Sequence, residues 1–178
     1  MSSFPRADEV IVAYEDQVEA LERLFHARAV VCADPRSRFH GLADAGIQDR
    51  LEQDRAELDR WAVMMLTASF EATLRADAKD RIQVRTRDDV RRALRDLDAK
   101  HEGHVRLDDI LRVWEDCAAV GATVKQNLRT LLKHRHWLAH GRHWTNKHGA
   151  VPSPLDAHAY LDDYVEVLQA RVPDFPRA

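Results

Sequence analysis

The sequence predicts an all-α fold, a single domain built as a bundle of about five or six helices. Apolar residues recur at spacings of three and four along most of the 178 residues, which is the period of an amphipathic helix. No stretch shows the alternation of apolar and polar residues that a half-buried strand needs. Only 6 Gly and 6 Pro interrupt the chain, and 45 % of its residues are hydrophobic. This composition favours long helices packed around a sizeable core.

Each predicted helix has an apolar stripe, and several have recognisable ends. Asp34-Pro35 ends the first helix, and Thr86 is the predicted N-cap of the third. Gly121 is a natural stop after the fourth helix. Ser153 is the predicted N-cap of the last helix. The predicted helices lie at about 8–31, 47–79, 87–100, 107–120, 123–140 and 154–172, within one domain that covers residues 1–178.

The overall composition excludes several classes of protein. The formal net charge is −3, so the chain is not a generally basic nucleic-acid coat. Its first residues contain no apolar signal core, and its longest uncharged apolar run, 61–70, is too short to cross a bilayer. Cys32 and Cys117 lie on apolar helix faces and are expected to be free, buried thiols in a reducing cytosol. We therefore expect a cytoplasmic protein without a membrane partner.

Basic residues and histidines are concentrated in one acid-free segment. Residues 117–155 contain no Asp or Glu, although the whole chain contains 30. The segment contains the basic residues Lys125, Arg129, Lys133, Arg135, Arg142 and Lys147, and the histidines His134, His136, His140, His143 and His148. A basic segment in an acidic protein is typical of a polyanion site. A chance cluster, or a surface for an acidic partner protein, is the alternative.

Arg135 occupies an unexpected position on the fifth predicted helix. It falls on the apolar stripe, three residues after Leu132 and three before Leu138. Glu71 is the only formal charge between Trp61 and Leu74, so it is either a half-exposed edge residue or a buried partner for an Arg or His. Arg135 could pair with this carboxylate, line a cleft or face another subunit.

Arg135 and His140 do not share a face of a regular helix. They are five residues apart, which places them about 140° apart around an ideal α-helix. His136 and His140, four residues apart, do share a face. Arg135 and His140 can therefore act together only if the helix end is distorted or if the site joins two chains.

The stretch Arg135-His136-Trp137-Leu138-Ala139-His140 resembles the signature of the HEPN superfamily, helical-bundle proteins many of which are metal-independent ribonucleases. That signature is an Arg, often followed by a polar residue, with a His four to six positions later near a helix end. The resemblance implies a HEPN-like bundle over most of the chain and a homodimer in which two Arg-His sets face a common cleft. It also implies an RNA hydrolase that needs no cofactor, leaves a 2′,3′-cyclic phosphate and acts as a toxin or a phage-defence effector. An antitoxin or another protein partner would then be possible.

The chemistry of RNA cleavage suits these residue types. An imidazole can move protons near neutral pH, and the guanidinium fork suits a charged phosphate. We expect His140 to act as general acid/base, Arg135 to clamp the phosphate and His136 to orient or polarise. Glu71 is a possible supporting carboxylate. The residues expected to contact the RNA backbone are Lys133, Arg142, Arg129 and His143.

Two other interpretations remain. His136 and His140 have the spacing of helical metal ligands, and His143 or His148 could add a third ligand. No carboxylate, cysteine or HExxH motif lies nearby in the sequence, so no bound metal is expected. The second interpretation is a non-catalytic module that binds RNA, a nucleotide or a protein without cleaving anything.

Overall fold

The computed structural model describes residues 5–83, 88–140, 151–172 and 174–176, and within these residues it contains seven α-helices and no strand. The predicted all-α fold is confirmed for this part of the chain. The helices are α1 (Ala7–His26), α2 (Arg28–Ala33), α3 (Asp44–Gln83), α4 (Asp89–Lys100), α5 (Leu107–Cys117), α6 (Ala122–His140) and α7 (Pro154–Arg171).

Seven helices are present instead of five or six because the first predicted helix is broken. At Ala27 the backbone has φ −85° and ψ 7°, which ends α1 and starts the short α2. α3 is longer than predicted at both ends, starting at Asp44 and reaching Gln83. In the extension at its C-terminal end, Arg81 forms a buried ion pair with Asp77 one turn earlier, which favours the helical conformation there.

Two other predicted helix ends were wrong by a few residues. The N-cap of α4 is Asp88, whose carboxylate accepts a hydrogen bond from the backbone N–H of Val90, whereas the predicted cap Thr86 lies outside the described residues. α5 ends at Cys117, and Ala119, with φ +51°, makes the turn that the sequence assigned to Gly121. The predicted cap of the last helix is correct, because Ser153 accepts a hydrogen bond from the backbone N–H of Asp156.

α3 is the central element of the bundle. Its 40 residues make it about 60 Å long, and it contacts α1, α4, α5, α6 and α7. Its C-terminal half faces the main core, where Val63, Leu66, Phe70 and Leu74 are fully buried. Since α4 to α7 all pack around this half, it sets the position of α6. None of the helices in the described ranges is both long and apolar enough to cross a membrane.

The N-terminal half of α3 forms a separate part of the molecule, which we call the N-terminal hairpin. It comprises α1 from Tyr14 onward, α2, and α3 up to Ala62. A small core of its own holds it together, in which Tyr14, Leu58 and Ala62 are buried and Val18 and Leu21 pack beside them. The Tyr14 hydroxyl donates a hydrogen bond of 2.8 Å to Asp59 across the two helices. The hairpin therefore has its own small core outside the main bundle.

A buried ion pair ties the opposite end of α3 to the C-terminal segment. Arg81 is 4 % exposed, and its Nε lies 2.8 Å from an Asp77 oxygen. Its Nη2 donates to Asp174 at 3.0 Å, and its guanidinium lies over the Trp114 ring. Burial raises the pKa of the Asp77 carboxyl, whereas the hydrogen bond from Arg81 lowers the pKa of Asp174. This cluster joins α3, α5 and the residues after α7.

Candidate active site

The candidate site lies on α6, which packs against α3 and α7. The buried face of α6 contains Leu128, Leu131 and Leu138 together with His134, which has no exposed surface. α6 remains a regular α-helix through His140. The apolar residues thus pack α6 against the core, and the opposite side of α6 faces solvent.

Arg135 is held by Glu71 of α3. Its Nη2 lies 3.4 Å from a Glu71 oxygen, and the two side chains are 32 % and 16 % exposed. Of the two interpretations of Glu71, the structure agrees with the one in which it partners an arginine. Each charge offsets the cost of partly burying the other. Glu71 therefore contacts the guanidinium on the side that faces the core, and the other side of the guanidinium is accessible to solvent.

His136 and His140 lie side by side on the surface. Both side chains are exposed, and their ring centroids are 5.2 Å apart with the rings tilted by 57°. One turn of regular helix between them produces this proximity. Two imidazoles at this distance offer two proton-transfer groups within reach of one ligand.

The structure does not place Arg135 and His140 on the same face of α6. Because the helix is regular to His140, the separation of about 140° around its axis stands. A distorted helix end, one of the two predicted ways to join these residues, is therefore absent from the described part of α6. The remaining way is a site that combines residues of two chains.

One face of α6 carries five basic or imidazole side chains, of which Lys125 is half-buried and the other four are exposed. With 100° per residue, the five fall within an arc of about 80°. They are Lys125, Arg129, Lys133, His136 and His140. This face is continuous over about 22 Å of helix. Its charge pattern is that of a surface for an extended anion.

A carboxylate that the sequence did not suggest engages part of this basic face. Glu115 of α5 is buried, and its oxygen lies 3.1 Å from Arg129 and 3.5 Å from Lys125. Residues 117–155 therefore contain no acidic residue, but in the folded protein an acidic residue of α5 lies against them. The sequence contains a weak indication that Glu115 is buried, because it directly follows Trp114, which lies on the apolar stripe of α5.

The structure brings some of the predicted site residues together and not others. The structure brings Arg135 together with Glu71, and His136 together with His140. Lys133 is exposed and Arg129 is paired with Glu115, while Arg142, His143 and His148 lie outside the described residues. His134, counted in the basic segment, belongs to the core and not to this surface.

The described ranges contain no group of three or more His, Cys, Asp or Glu side chains placed to hold a metal ion. Cys32 and Cys117 are free and half-buried, and burial raises the pKa of the Cys117 thiol. The groups of this surface that can transfer protons or bind an anion are the exposed histidine pair and Arg135.

No protein-family model, curated protein or solved structure matches the chain. The HEPN resemblance thus stays a prediction that rests on the segment from Arg135 to His140.

Proposed function

We propose that this protein is a metal-independent endoribonuclease of HEPN type, active as a homodimer, and a toxin or defence effector in biological role. The observation that carries the proposal is the end of α6. There Arg135 is anchored by Glu71 and the exposed imidazoles of His136 and His140 lie one turn apart. A guanidinium of one chain combined with the paired imidazoles of a second chain would be suited to phosphodiester cleavage by proton transfer and charge stabilisation.

The proposed reaction is an internal transfer at phosphorus. A His140 imidazole takes the proton of the ribose 2′-hydroxyl, O2′ bonds to phosphorus, and the P–O5′ bond breaks. His140, now an imidazolium, gives this proton to the departing 5′-oxygen, so the products are a 2′,3′-cyclic phosphate and a 5′-hydroxyl. Arg135 stabilises the charge on the phosphorus oxygens, and His136 orients His140 or the phosphate.

The ion pair with Glu71 is compatible with a phosphate-binding role for Arg135. The contact between Arg135 and Glu71 uses Nη2 of the guanidinium, which carries five N–H donors in all. Glu71 can therefore fix the plane of the group while other donors meet a phosphate. Lys133 and Arg129, on the basic face of α6, would contact the RNA backbone, and Arg142 and His143 are proposed to contact it as well.

The geometry of α6 supports the proposal of a dimer. Arg135 and His140 point about 140° apart, so one chain does not direct both at one phosphate. A two-fold axis near the end of α6 would place Arg135 of one chain opposite His140 of the other. Such an isologous arrangement produces two equivalent sites per dimer.

The proposal is tested by comparing wild type with Arg135→Ala and His140→Ala in growth and in purified RNA cleavage. Wild type is expected to arrest growth and to leave cyclic phosphate ends in the presence of a chelator. Each variant should lose cleavage by at least about a hundredfold, the usual contribution of a general acid/base or a charge-stabilising group. Equal toxicity of all three proteins, or loss of activity with chelator, would contradict it.

A second function, RNA binding without cleavage, is favoured by one observation. Glu71 neutralises part of the charge of Arg135, as expected of a structural pair rather than a catalytic cation. In this case wild type and His140→Ala would bind a labelled RNA equally, and neither would cleave it. If the enzyme proposal is correct, His140→Ala keeps binding and loses cleavage.

A further inference from the structure

The N-terminal hairpin has one covered side and one open side. On the covered side, Phe39 from the loop after α2 and Ile47 of α3 are both buried next to α2. On the open side, a groove of about 400 Å³ runs between α1 and α3. Its apolar lining is formed by Leu21, Phe25, Leu51 and Ala56. These four side chains are partly exposed, so the hairpin presents apolar surface that its own chain does not fully cover.

The edges of the groove are acidic. Glu22 lies on the α1 edge, and Glu52 and Asp59 lie on the α3 edge. The one arginine of the lining, Arg55, already interacts with two of these carboxylates, at 3.7 Å from Glu22 and 3.4 Å from Asp59. A second guanidinium, that of Arg28, lies over the Phe25 ring at 4.6 Å from its centroid. Three carboxylates against two guanidinium groups leave one excess negative charge around the apolar centre.

Shape and charge together select the class of occupant. Two antiparallel helices with an open apolar groove accept a third helix, whose apolar residues enter at positions i, i+3, i+4 and i+7. A second copy docked through the same groove would bring two acidic edges together, which is unfavourable. An anionic membrane surface is repelled for the same reason. The basic face of α6 has the right charge but lacks the apolar stripe to fill the groove.

We infer that this groove is a docking site for a basic amphipathic helix of another protein. The apolar stripe of that helix packs on Phe25 and Leu51, and Lys or Arg residues flanking the stripe meet Glu22 and Glu52. The inference does not depend on the nuclease proposal, because the groove belongs to the hairpin and the α6 site belongs to the main bundle.

Fluorescence anisotropy with two labelled peptides and the full-length chain tests this inference. One peptide of about 14 residues has Leu at the helical spacing and Lys elsewhere, and the other replaces every Lys with Glu. The Leu/Lys peptide is expected to bind and the Leu/Glu peptide is not. Phe25→Ala should weaken binding about tenfold, as for an anchor residue of a small interface.

Charge variants separate groove binding from general attraction to an acidic protein. Glu22→Gln combined with Glu52→Gln should weaken binding of the Leu/Lys peptide about fivefold, the usual effect of losing two exposed ion pairs. The matched control, Asp49→Asn with Glu57→Gln, removes the same charge from α3 positions outside the groove and should leave binding within about twofold. Equal loss in both pairs, equal binding of both peptides, or binding of neither would overturn the inference.

Discussion

At the scale of single residues, Arg135 carries the largest part of the proposed chemistry, and its partner explains its position. A guanidinium on a core-facing stripe is costly unless a carboxylate meets it, and Glu71 does so from α3. The pair holds Arg135 at the boundary between core and solvent. We therefore regard Glu71 as a positioning residue that acts through Arg135 and does not itself contact RNA.

Replacing Glu71 with Gln tests this positioning role. The amide keeps the size of the side chain but loses the charge that orients the guanidinium. We expect kcat for RNA cleavage to fall about tenfold while KM changes little, because binding also uses other basic groups. Glu57→Gln is the matched control, since Glu57 is exposed on the same helix and pairs with Arg60 in the N-terminal half of α3, away from Arg135. If KM rises with kcat unchanged, Glu71 does not orient a catalytic group.

At the scale of helices, α3 connects the two ends of the protein. Its N-terminal half builds the hairpin, its middle faces the core and supplies Glu71, and its C-terminal turns supply the buried pair of Asp77 and Arg81. The latter pair also reaches Asp174 beyond α7. Packing of the last turns of α3 therefore depends on an electrostatic contact inside the fold.

Arg81→Met should destabilise the protein by about 3–5 kcal/mol, because it leaves the carboxylate of Asp77 buried without its partner. The double variant Asp77→Leu with Arg81→Met should recover most of this loss, since two apolar side chains replace the two charges. Urea unfolding followed by circular dichroism measures both effects. Arg75→Met, at an exposed position of the same helix, should change stability by less than about 0.5 kcal/mol. A double variant no more stable than Arg81→Met would show that the pair does not act as a unit.

At the scale of the whole molecule, the proposed site is incomplete in one chain. The regular geometry of α6 separates the two groups that the proposed reaction brings to one phosphate. A homodimer would solve this by exchanging them across a two-fold axis, and activity would then depend on protein concentration.

Mixing two inactive variants tests this composite site. In a dimer of Arg135→Ala with His140→Ala, one site combines the intact Arg135 of one chain with the intact His140 of the other. Random pairing makes half of the dimers mixed, so co-expression should restore about a quarter of wild-type activity. Each variant expressed alone provides the control. If co-expression restores nothing although both proteins dimerise, the two residues do not act across the interface.

Local signals along the chain were enough for the fold class and for most helix positions. Helical spacing of apolar residues and the Ser153 cap are properties of neighbouring residues, so they can be read without tertiary structure. The break at Ala27 and the turn at Ala119 carry no such signal, because neither position has a Gly or Pro that demands it. Arg135, His136 and His140 were chosen as site residues by their spacing together with the apolar helix before them and the acid-free segment around them, and this choice stays a prediction.

Contacts between residues far apart in the sequence determined the features that local signals did not predict. The sequence suggested Glu71 as a partner of Arg135 but left it among alternatives, and only the packing of α6 on α3 brings the two within 3.4 Å. The acid-free segment looked uniformly basic until α5 placed Glu115 against Arg129 and Lys125. His134, which the sequence grouped with the basic segment, lies in the core together with Leu131 and Leu138. Helical period is set by the local backbone, whereas the charge around a site depends on residues far apart in the sequence that come together only when the helices pack.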